Sequence, residues 1–238
     1  AYDPRLAKVW AWPPTREAAF PARSQALQGC EVGGNPTTRP FLHAALGLGS
    51  LQRVTHHTKT AGGVTLPGQS VEVLSPGTQT TIQDVRGRLG YWHVGVPPSG
   101  AFDSRALAHA NRCLGNDENL PGLEMVVEGP ALKFTAARRI ALSGAALTAQ
   151  LDGVPVPLNQ AVTVDAGQTL SLKGIGAQGD GLRAYLAVEG GFAITPVLGS
   201  TATFELGGFG GHGGRALRTG DVLPLAPRPD TPGEAPLP

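Results

Sequence analysis

The feature of this sequence that most restricts its fold is a series of short, β-branched segments that begins near residue 70 and is broken repeatedly by glycine, proline and aspartate. Turn-forming residues are abundant, with 34 glycines and 21 prolines among 238 residues, which disfavours a bundle of regular helices. The segments expected to form strands are 70–74, 78–84, 131–134, 139–142, 147–151, 162–164, 169–173, 183–188 and 222–225. The pattern predicts a mainly β domain, built as an antiparallel barrel or sandwich.

Two turn sequences within this region predict tight β-hairpins. Asp152-Gly153 lies between the expected strand segments 147–151 and 154–156, and both residue types tolerate the positive φ angles that a two-residue hairpin turn requires. Asp165-Ala166-Gly167 lies between segments 162–164 and 169–173 and predicts a second hairpin.

One short helix is expected within the β region. Asp103 is a candidate N-cap, apolar residues follow it at helical spacing at 106, 107, 110 and 114, and Gly115-Asn116 ends the pattern. Two more helices are expected near the N-terminus. Thr15 is a candidate N-cap for the first, in which Pro21 predicts either a kink or a later start, and the second covers 40–46.

These patterns divide the chain into four segments. Residues 1–48 form a small α+β unit, 49–69 are a glycine-rich linker, and 70–226 are the β domain. The tail 227–238, rich in Pro, Gly and Glu, is expected to be disordered because it has little apolar surface to bury.

Charge and cysteine content exclude several classes of function. The 19 basic and 18 acidic residues nearly cancel, so neither a nucleic acid nor an anionic membrane is an expected partner. No apolar stretch is long enough to span a membrane. Cys30 and Cys113 are far apart and lack zinc-ligand spacing, so neither a disulfide framework nor a structural metal site is indicated, and a reducing cytoplasm fits best. His56-His57 has no carboxylate or thiol at ligand spacing, so no metal site is expected there either.

Nucleotide-binding and hydrolase motifs are also unsupported. Two G-x-G-x-x-G sequences occur, at 174–179 and 208–213, but neither is followed by the helix that a dinucleotide site requires. The sequence contains no phosphate-loop, zinc-protease or nucleophile-elbow motif.

Two glycine-rich loops carry the candidate functional residues. The first, 80–103, concentrates polar side chains between glycines and prolines: Gln83, Asp84, Arg86, Arg88, Tyr91, His93, Ser99 and Asp103. For Asp103 a helix cap, and for Arg86 a solvated charge, are equally good interpretations. The second, 204–215, contains His212 and Arg215 among glycines, where backbone N–H groups can approach an amide or carboxylate; a wide glycine turn is the alternative.

These loops resemble the carboxyltransferase domain of urea carboxylase and, more broadly, the family of allophanate hydrolase subunit 2 and the 5-oxoprolinase C-subunit. The resemblance lies in Ser75-Pro76-Gly77, Gly95-Val-Pro-Pro-Ser-Gly-Ala-Phe-Asp103 and Phe209-Gly-Gly-His-Gly-Gly-Arg215. It implies that the β domain over 70–226 is a cyclophilin-like antiparallel barrel. Val85-Arg86 and Gly90-Tyr-Trp-His93 follow the urea carboxylase branch, which favours urea over 5-oxoproline as substrate.

A second, independent resemblance covers residues 1–48. The segments 2–9, 15–17, 26–27 and 36–42 resemble the end of a biotin carboxylase C-terminal subdomain, and urea carboxylase carries the two modules in this order. The chain is therefore expected to be a piece of a longer enzyme. That enzyme would also contain an ATP-grasp region that uses ATP and bicarbonate, the second part of the carboxyltransferase domain, and a biotin carrier domain.

The resemblance implies a reaction and roles for individual residues. The expected reaction moves the carboxyl group from carboxybiotin, held on the carrier domain, to urea and gives allophanate. The implied catalytic residues are Tyr91, His93 and Arg88, as hydrogen-bond donors or proton carriers. The implied substrate-binding residues are Gln83, Asp84, Ser99, His212 and Arg215.

Two alternatives remain open. The chain could be a component of the 5-oxoprolinase C-subunit type that acts on a cyclic amide, or an inactive binding or assembly module. If the second part of the carboxyltransferase domain completes the site, the isolated chain is expected to be inactive.

Overall fold

A computed structural model describes residues 7–30, 37–58, 60, 68–177, 179 and 181–228. These residues form two compact units, one within residues 1–67 and one from Gly68 onward. Residues 2–6 and Pro36 of the N-terminal resemblance, residues 61–67 of the expected linker and residues 229–238 of the expected tail lie outside this description.

The described residues of the first unit form three α-helices, α1 (Arg16–Gln28), α2 (Arg39–Leu46) and α3 (Gly49–Gln52). Thr15 caps α1 as predicted, since its Oγ1 accepts a hydrogen bond of 3.3 Å from the N–H of Ala18. Pro21 lies inside α1, so the helix does not begin later. The short α3 lies in the segment interpreted as the start of a linker.

The second unit contains one helix, α4 (Ser104–Leu114), and eleven strands in the described part of the chain. The strands are β1 (Ser70–Ser75), β2 (Gln79–Gln83), β3 (Gly122–Val126), β4 (Ala131–Phe134), β5 (Arg138–Gly144), β6 (Thr148–Leu151), β7 (Val154–Pro155), β8 (Ala161–Val164), β9 (Thr169–Lys173), β10 (Arg183–Val188) and β11 (Val222–Pro224). One sheet has the order β11-β1-β4-β9-β6-β7 and the other β2-β3-β10-β5-β8. The neighbouring strands pair antiparallel.

The two sheets share one apolar core. Val71 and Phe134 from the first sheet, and Ile82, Leu123 and Leu186 from the second, are fully buried within it. Each such side chain contributes about 1.5–3 kcal/mol through removal from water. The mainly β, antiparallel fold class is thus confirmed. The described strands form two packed sheets and do not close into a single cylinder.

One of the two predicted hairpins is confirmed and the other is wrong. Asp152 and Gly153 adopt φ angles of 47° and 87° and join β6 to β7, which pair in one sheet. By contrast, the turn at Asp165-Ala166-Gly167 joins β8 in one sheet to β9 in the other. The turn therefore carries the chain from one sheet to the other. The N–H of Gly167 donates to the carbonyl of Phe134 in β4, next to β9.

Helix α4 packs against the second sheet and fixes the end of the loop that precedes it. Ala110 and Leu114 contact Ala141 of β5 and Ala187 of β10. Asp103 is the predicted N-cap, since its side chain accepts a hydrogen bond of 3.0 Å from the N–H of Ala106. In the described chain, neither α4 nor the helices of the first unit have the length and apolarity needed to cross a bilayer.

Candidate functional site

The segment between β2 and α4 forms a loop whose two ends are tied together. Asp84 is 3% exposed, and its carboxylate accepts hydrogen bonds from the N–H of Gly87 at 2.6 Å, the hydroxyl of Ser200 at 2.7 Å and the N–H of Thr201 at 2.8 Å. The carbonyl of Asp84 accepts from the N–H of Ala101 at 2.8 Å. Asp84 therefore ties the two ends of this loop together through its carbonyl and holds the loop against the segment near residue 200 through its buried carboxylate.

Arg88 makes the second connection. Its side chain is 1% exposed and donates from Nη2 to the carbonyl of Ala202 at 2.5 Å, from Nε to that of Val197 at 3.3 Å, and from Nη1 to Ser99 Oγ at 3.4 Å. The guanidinium lies 5.0 Å from the ring centroid of Phe209. Burial lowers the pKa of Arg88 from its ordinary value, and the charge of Asp84 opposes that shift.

Gln83 completes a cluster of four sequence-predicted residues that we call the loop neck: Gln83, Asp84, Arg88 and Ser99. Gln83 donates to Thr81 Oγ1 at 3.0 Å and accepts from the N–H of Gly100 at 3.1 Å. The polar groups of the loop neck contact one another, the main chain or the hydroxyls of Thr81 and Ser200, which is the arrangement expected of residues that hold a loop in one shape.

Tyr91 and His93 lie at the opposite end of the same loop, which we call the apex, residues 89–96. The 3₁₀ turn Trp92–Val94 shapes it, with the carbonyl of Tyr91 accepting from the N–H groups of Val94 and Val96 at 3.1 Å each. Tyr91 is half-buried and His93 is exposed. The apex also exposes Leu89, Trp92 and Val94, and Trp92 is 70% exposed.

The second predicted loop, 204–215, contacts the loop neck at one end. Phe209 lies under Arg88, and its carbonyl accepts from the N–H of Phe204 at 2.9 Å. The N–H of Gly211 donates to the carbonyl of Thr201 at 2.9 Å. Because Thr201 also binds Asp84, the two loops share one scaffold.

His212 and Arg215 converge on a residue that sequence analysis missed, Asp221. Arg215 donates from Nη1 and Nη2 to the two carboxylate oxygens at 2.8 Å each, and His212 Nε2 lies 3.5 Å from Oδ1. Burial lowers the pKa of His212 from its ordinary value, the charge of Asp221 opposes this, and the charge of Arg215 reinforces it. The imidazole is therefore neutral near pH 7. Burial would raise the pKa of Asp221, but the hydrogen bonds from Arg215 and the N–H of Arg218 outweigh it and lower that pKa.

A second missed group supports the end of the first loop. Glu124 of β3 is buried and accepts from the Tyr185 hydroxyl at 2.9 Å and from the N–H of Phe102 at 2.7 Å. The same hydroxyl accepts from the N–H of Asp103 at 2.7 Å. Burial raises the pKa of Tyr185, so the phenol stays protonated and bridges strand and loop.

The structure thus brings Gln83, Asp84, Arg88 and Ser99 together and pairs His212 with Arg215. Within the described residues, no side-chain hydrogen bond or ion pair joins Tyr91 or His93 to His212. The same part of the chain contains no group of three or more His, Cys, Asp or Glu side chains placed to hold a metal ion.

Gly214→Ala is expected to destabilise the β domain more than Gly208→Ala. Both glycines have positive φ, +68° and +67°, so both variants incur a similar backbone cost of about 1–2 kcal/mol. A Cβ at Gly214 would lie 2.0 Å from the carbonyl carbon of Gly208, whereas one at Gly208 would have no atom within 4 Å. The collision adds about 1–3 kcal/mol. Thermal unfolding of both variants measures the difference, and equal transition temperatures would contradict the described packing of this loop.

Comparison with known proteins matches most of the chain to the family that its loop sequences resemble. A family model described as "Carboxyltransferase domain, subdomain A and B" matches residues 94–237. Urea amidolyase of Saccharomyces cerevisiae is 38% identical over 222 residues, which cover 93% of this chain and 12% of that protein. The C-subunit of Escherichia coli 5-oxoprolinase is 39% identical over 155 residues, covering 65% of this chain and 49% of that protein.

A solved structure agrees with these sequence matches. The crystal structure of Kluyveromyces lactis urea carboxylase superposes with a TM-score of 0.75 at 36% identity, covering 90% of this chain and 20% of that one. The chain thus spans a small fraction of the length of the urea-processing proteins that it resembles.

Proposed function

The chain belongs to the carboxyltransferase family of subdomains A and B, and from this membership we propose that it is the first part of the carboxyltransferase of a biotin-dependent urea carboxylase. The proposed reaction transfers a carboxyl group to urea and yields allophanate. ATP and bicarbonate are used by the carboxylase domains of the parent enzyme.

The extent of the similarity carries this proposal. The match to yeast urea amidolyase covers 93% of the chain and therefore includes residues of both compact units. The match to the 5-oxoprolinase C-subunit covers 65%. A parent protein that combines both units supports urea over a cyclic amide as the substrate.

The chemistry of the second loop fits this reaction. Carboxyl transfer to a urea nitrogen needs a proton acceptor, and a neutral imidazole such as His212 is one. It also needs positive charge and N–H donors near developing negative charge, which Arg215 and the glycine backbone supply. Gly207 and Gly208 are exposed and carry no Cβ, so a flat ureido ring can approach the main chain. Carboxybiotin, when bound, supplies the carboxyl group.

The first loop divides into two proposed roles. Gln83, Asp84, Arg88 and Ser99 position the two loops, because Asp84 and Arg88 are buried and their polar atoms contact protein groups. Tyr91 and His93 at the apex are the proposed donors to substrate.

The second part of the carboxyltransferase domain is the proposed partner that covers the apex. Leu89, Trp92 and Val94 expose large apolar side chains beside Tyr91 and His93, which is typical of a surface that another domain contacts. The biotin carrier domain is the other proposed partner, since it delivers the carboxyl group.

The isolated chain is expected to form no allophanate when mixed with urea and a carboxybiotin carrier. Its site lacks the wall that the second part of the domain provides, so water can reach a labile carboxyl group. Addition of the separately produced second part is expected to restore turnover. Appreciable turnover by the chain alone would show that its own residues complete the site.

The proposal as a whole is tested with the intact parent enzyme. Its coding sequence is expected to contain an ATP-grasp region upstream and a biotinylation lysine downstream. The purified protein should consume ATP in the presence of urea and bicarbonate and release allophanate. Consumption of 5-oxoproline instead would favour the cyclic-amide alternative, and inactivity on both would favour an assembly module.

A further inference from the structure

The main chain of Asp221 is held in place by hydrogen bonds that do not involve its side chain. It lies directly before β11, where the N–H of Gly220 donates to the carbonyl of Val73 at 2.8 Å and the N–H of Val73 donates to the carbonyl of Asp221 at 2.8 Å. Both ends of this short segment are therefore paired to β1. The carboxylate projects from a rigid strand end and not from a loop.

The carboxylate organises three groups of the glycine loop and the following turn. Its side chain is 10% exposed. It accepts the two parallel hydrogen bonds from Arg215, one of 2.7 Å from the N–H of Arg218, and lies 3.5 Å from His212 Nε2. A planar guanidinium and a carboxylate in this paired arrangement are geometrically rigid. His212 therefore faces a negative group whose position and orientation are set.

This contact distinguishes the two ring nitrogens of His212. A carboxylate facing a neutral imidazole favours the proton on the nearer nitrogen, because that N–H points at negative charge. The nearer nitrogen is Nε2. The proton-free nitrogen is then Nδ1, which can accept a proton. The same logic orients the histidine in Ser-His-Asp triads.

We infer that Asp221 is a positioning residue that keeps His212 in the tautomer with its proton on Nε2, so that Nδ1 is the atom that takes a proton from urea. The inference rests on the proposed function, in which His212 serves carboxyl transfer to urea. As the urea nitrogen bonds to the carboxyl carbon, the bond between that carbon and the ureido nitrogen of carboxybiotin breaks, and the leaving ureido nitrogen keeps the electron pair. One N–H bond of the attacking urea nitrogen also breaks, its electron pair stays on the urea nitrogen, and the proton passes to Nδ1, from which it can return to the ureido nitrogen. Asp221 stabilises the resulting imidazolium.

Arg215 has the opposite electrostatic effect on the same ring. The charges that act on the imidazole are those of Asp221, which raises the pKa of His212, and of Arg215, which lowers it, in addition to the lowering effect of burial. Removing the carboxylate and removing the guanidinium should therefore shift the His212 titration in opposite directions.

The test uses ¹⁵N-labelled chain and long-range ¹H–¹⁵N spectra, which identify the protonated ring nitrogen and follow the titration. The chain has six histidines, and His212→Gln assigns the relevant signal. In the unsubstituted protein His212 is expected as the Nε2–H tautomer with a pKa below the ordinary histidine value. Asp221→Asn should lower that pKa further and abolish the tautomer preference. Arg215→Gln should raise the pKa and keep the tautomer.

An unchanged tautomer in Asp221→Asn, or pKa shifts of the same sign in both variants, would overturn the inference. If Asp221→Asn does not fold, Arg215→Gln decides alone, because a lowered or unchanged pKa there contradicts the opposed-charge arrangement.

Kinetics of the intact enzyme separate this inference from the proposed function. Asp221→Asn should lower kcat for urea by at least about 10-fold and move the acidic limb of the pH profile to lower pH, since that limb reports protonation of the base. A normal rate in His212→Gln would end the proposed role of His212, whereas the spectra of the isolated chain would still report whether Asp221 controls the ring.

Discussion

In the intact enzyme, His212→Ala is expected to lower urea-dependent carboxyl transfer by about 10²–10⁴-fold, the usual effect of removing a general base. His212 is neutral near pH 7 because burial lowers its pKa, and it lies in a loop where glycine backbone allows close approach of a substrate. Alanine removes the proposed proton acceptor and leaves the ion pair between Arg215 and Asp221 in place. The measurement is the rate of allophanate formation at saturating ATP and bicarbonate.

Two further variants sharpen this prediction. His56→Ala changes an exposed histidine of the first unit and should react at the unsubstituted rate. His93→Ala is also expected to lower turnover, since His93 is a proposed donor at the apex, and the fold should be unaffected because the side chain is exposed. Normal rates for His212→Ala and His93→Ala would remove both from the site.

Asp84→Ala is expected to destabilise the β domain by about 3–5 kcal/mol, the range found when one member of a buried charged network is removed. The carboxylate is 3% exposed, and its loss leaves the N–H groups of Gly87 and Thr201 and the hydroxyl of Ser200 buried without an acceptor. Gly87 belongs to the first loop, and Thr201 binds Gly211 of the second, so local order at 84–101 and 200–211 should fall together.

Hydrogen exchange of the β3 and β10 amides measures the loss of unfolding free energy. These strands pair within one sheet, and amides of such core strands exchange through global unfolding. Asp117→Ala is the matched control: this carboxylate is exposed and accepts one hydrogen bond, from the N–H of Asn119, so the expected change is within about 1 kcal/mol. Guanidinium is the suitable denaturant for supporting measurements, because urea is the proposed ligand. Equal protection in both variants would contradict the bridging role of Asp84.

Local sequence signals predicted most of the elements. The helix from Ser104 to Leu114 begins after a capping aspartate and ends at Gly115, whose φ of 74° suits glycine. The strands at 131–134, 169–173 and 183–188 have the predicted bounds. Strand β3 was missed because Gly122 and Glu124 lower its apparent strand tendency, although it lies between β2 and β10.

The sequence predicted which two loops carry the candidate site, but not which of their side chains contact one another. Glycine and proline density identified 80–103 and 204–215, but it could not separate residues that hold the loops from residues that face a substrate. Asp84 and Arg88 turn inward to bind Ser200 and Ala202. Because these partners lie more than a hundred positions along the chain, no local pattern reveals that the two side chains are buried. Asp221 was missed because a lone aspartate before a short strand has no local signature.

The sequence by itself determined where most helices, strands and turns lie, and which two loops carry unusual polar groups, because these properties depend on backbone preferences within a few residues. Only the tertiary structure decided that the turn at 165–167 connects two sheets, that Arg88 is buried, and that Asp221 faces His212. Those outcomes depend on burial and hydrogen bonding between distant segments, whose free energy exists only once the sheets have packed.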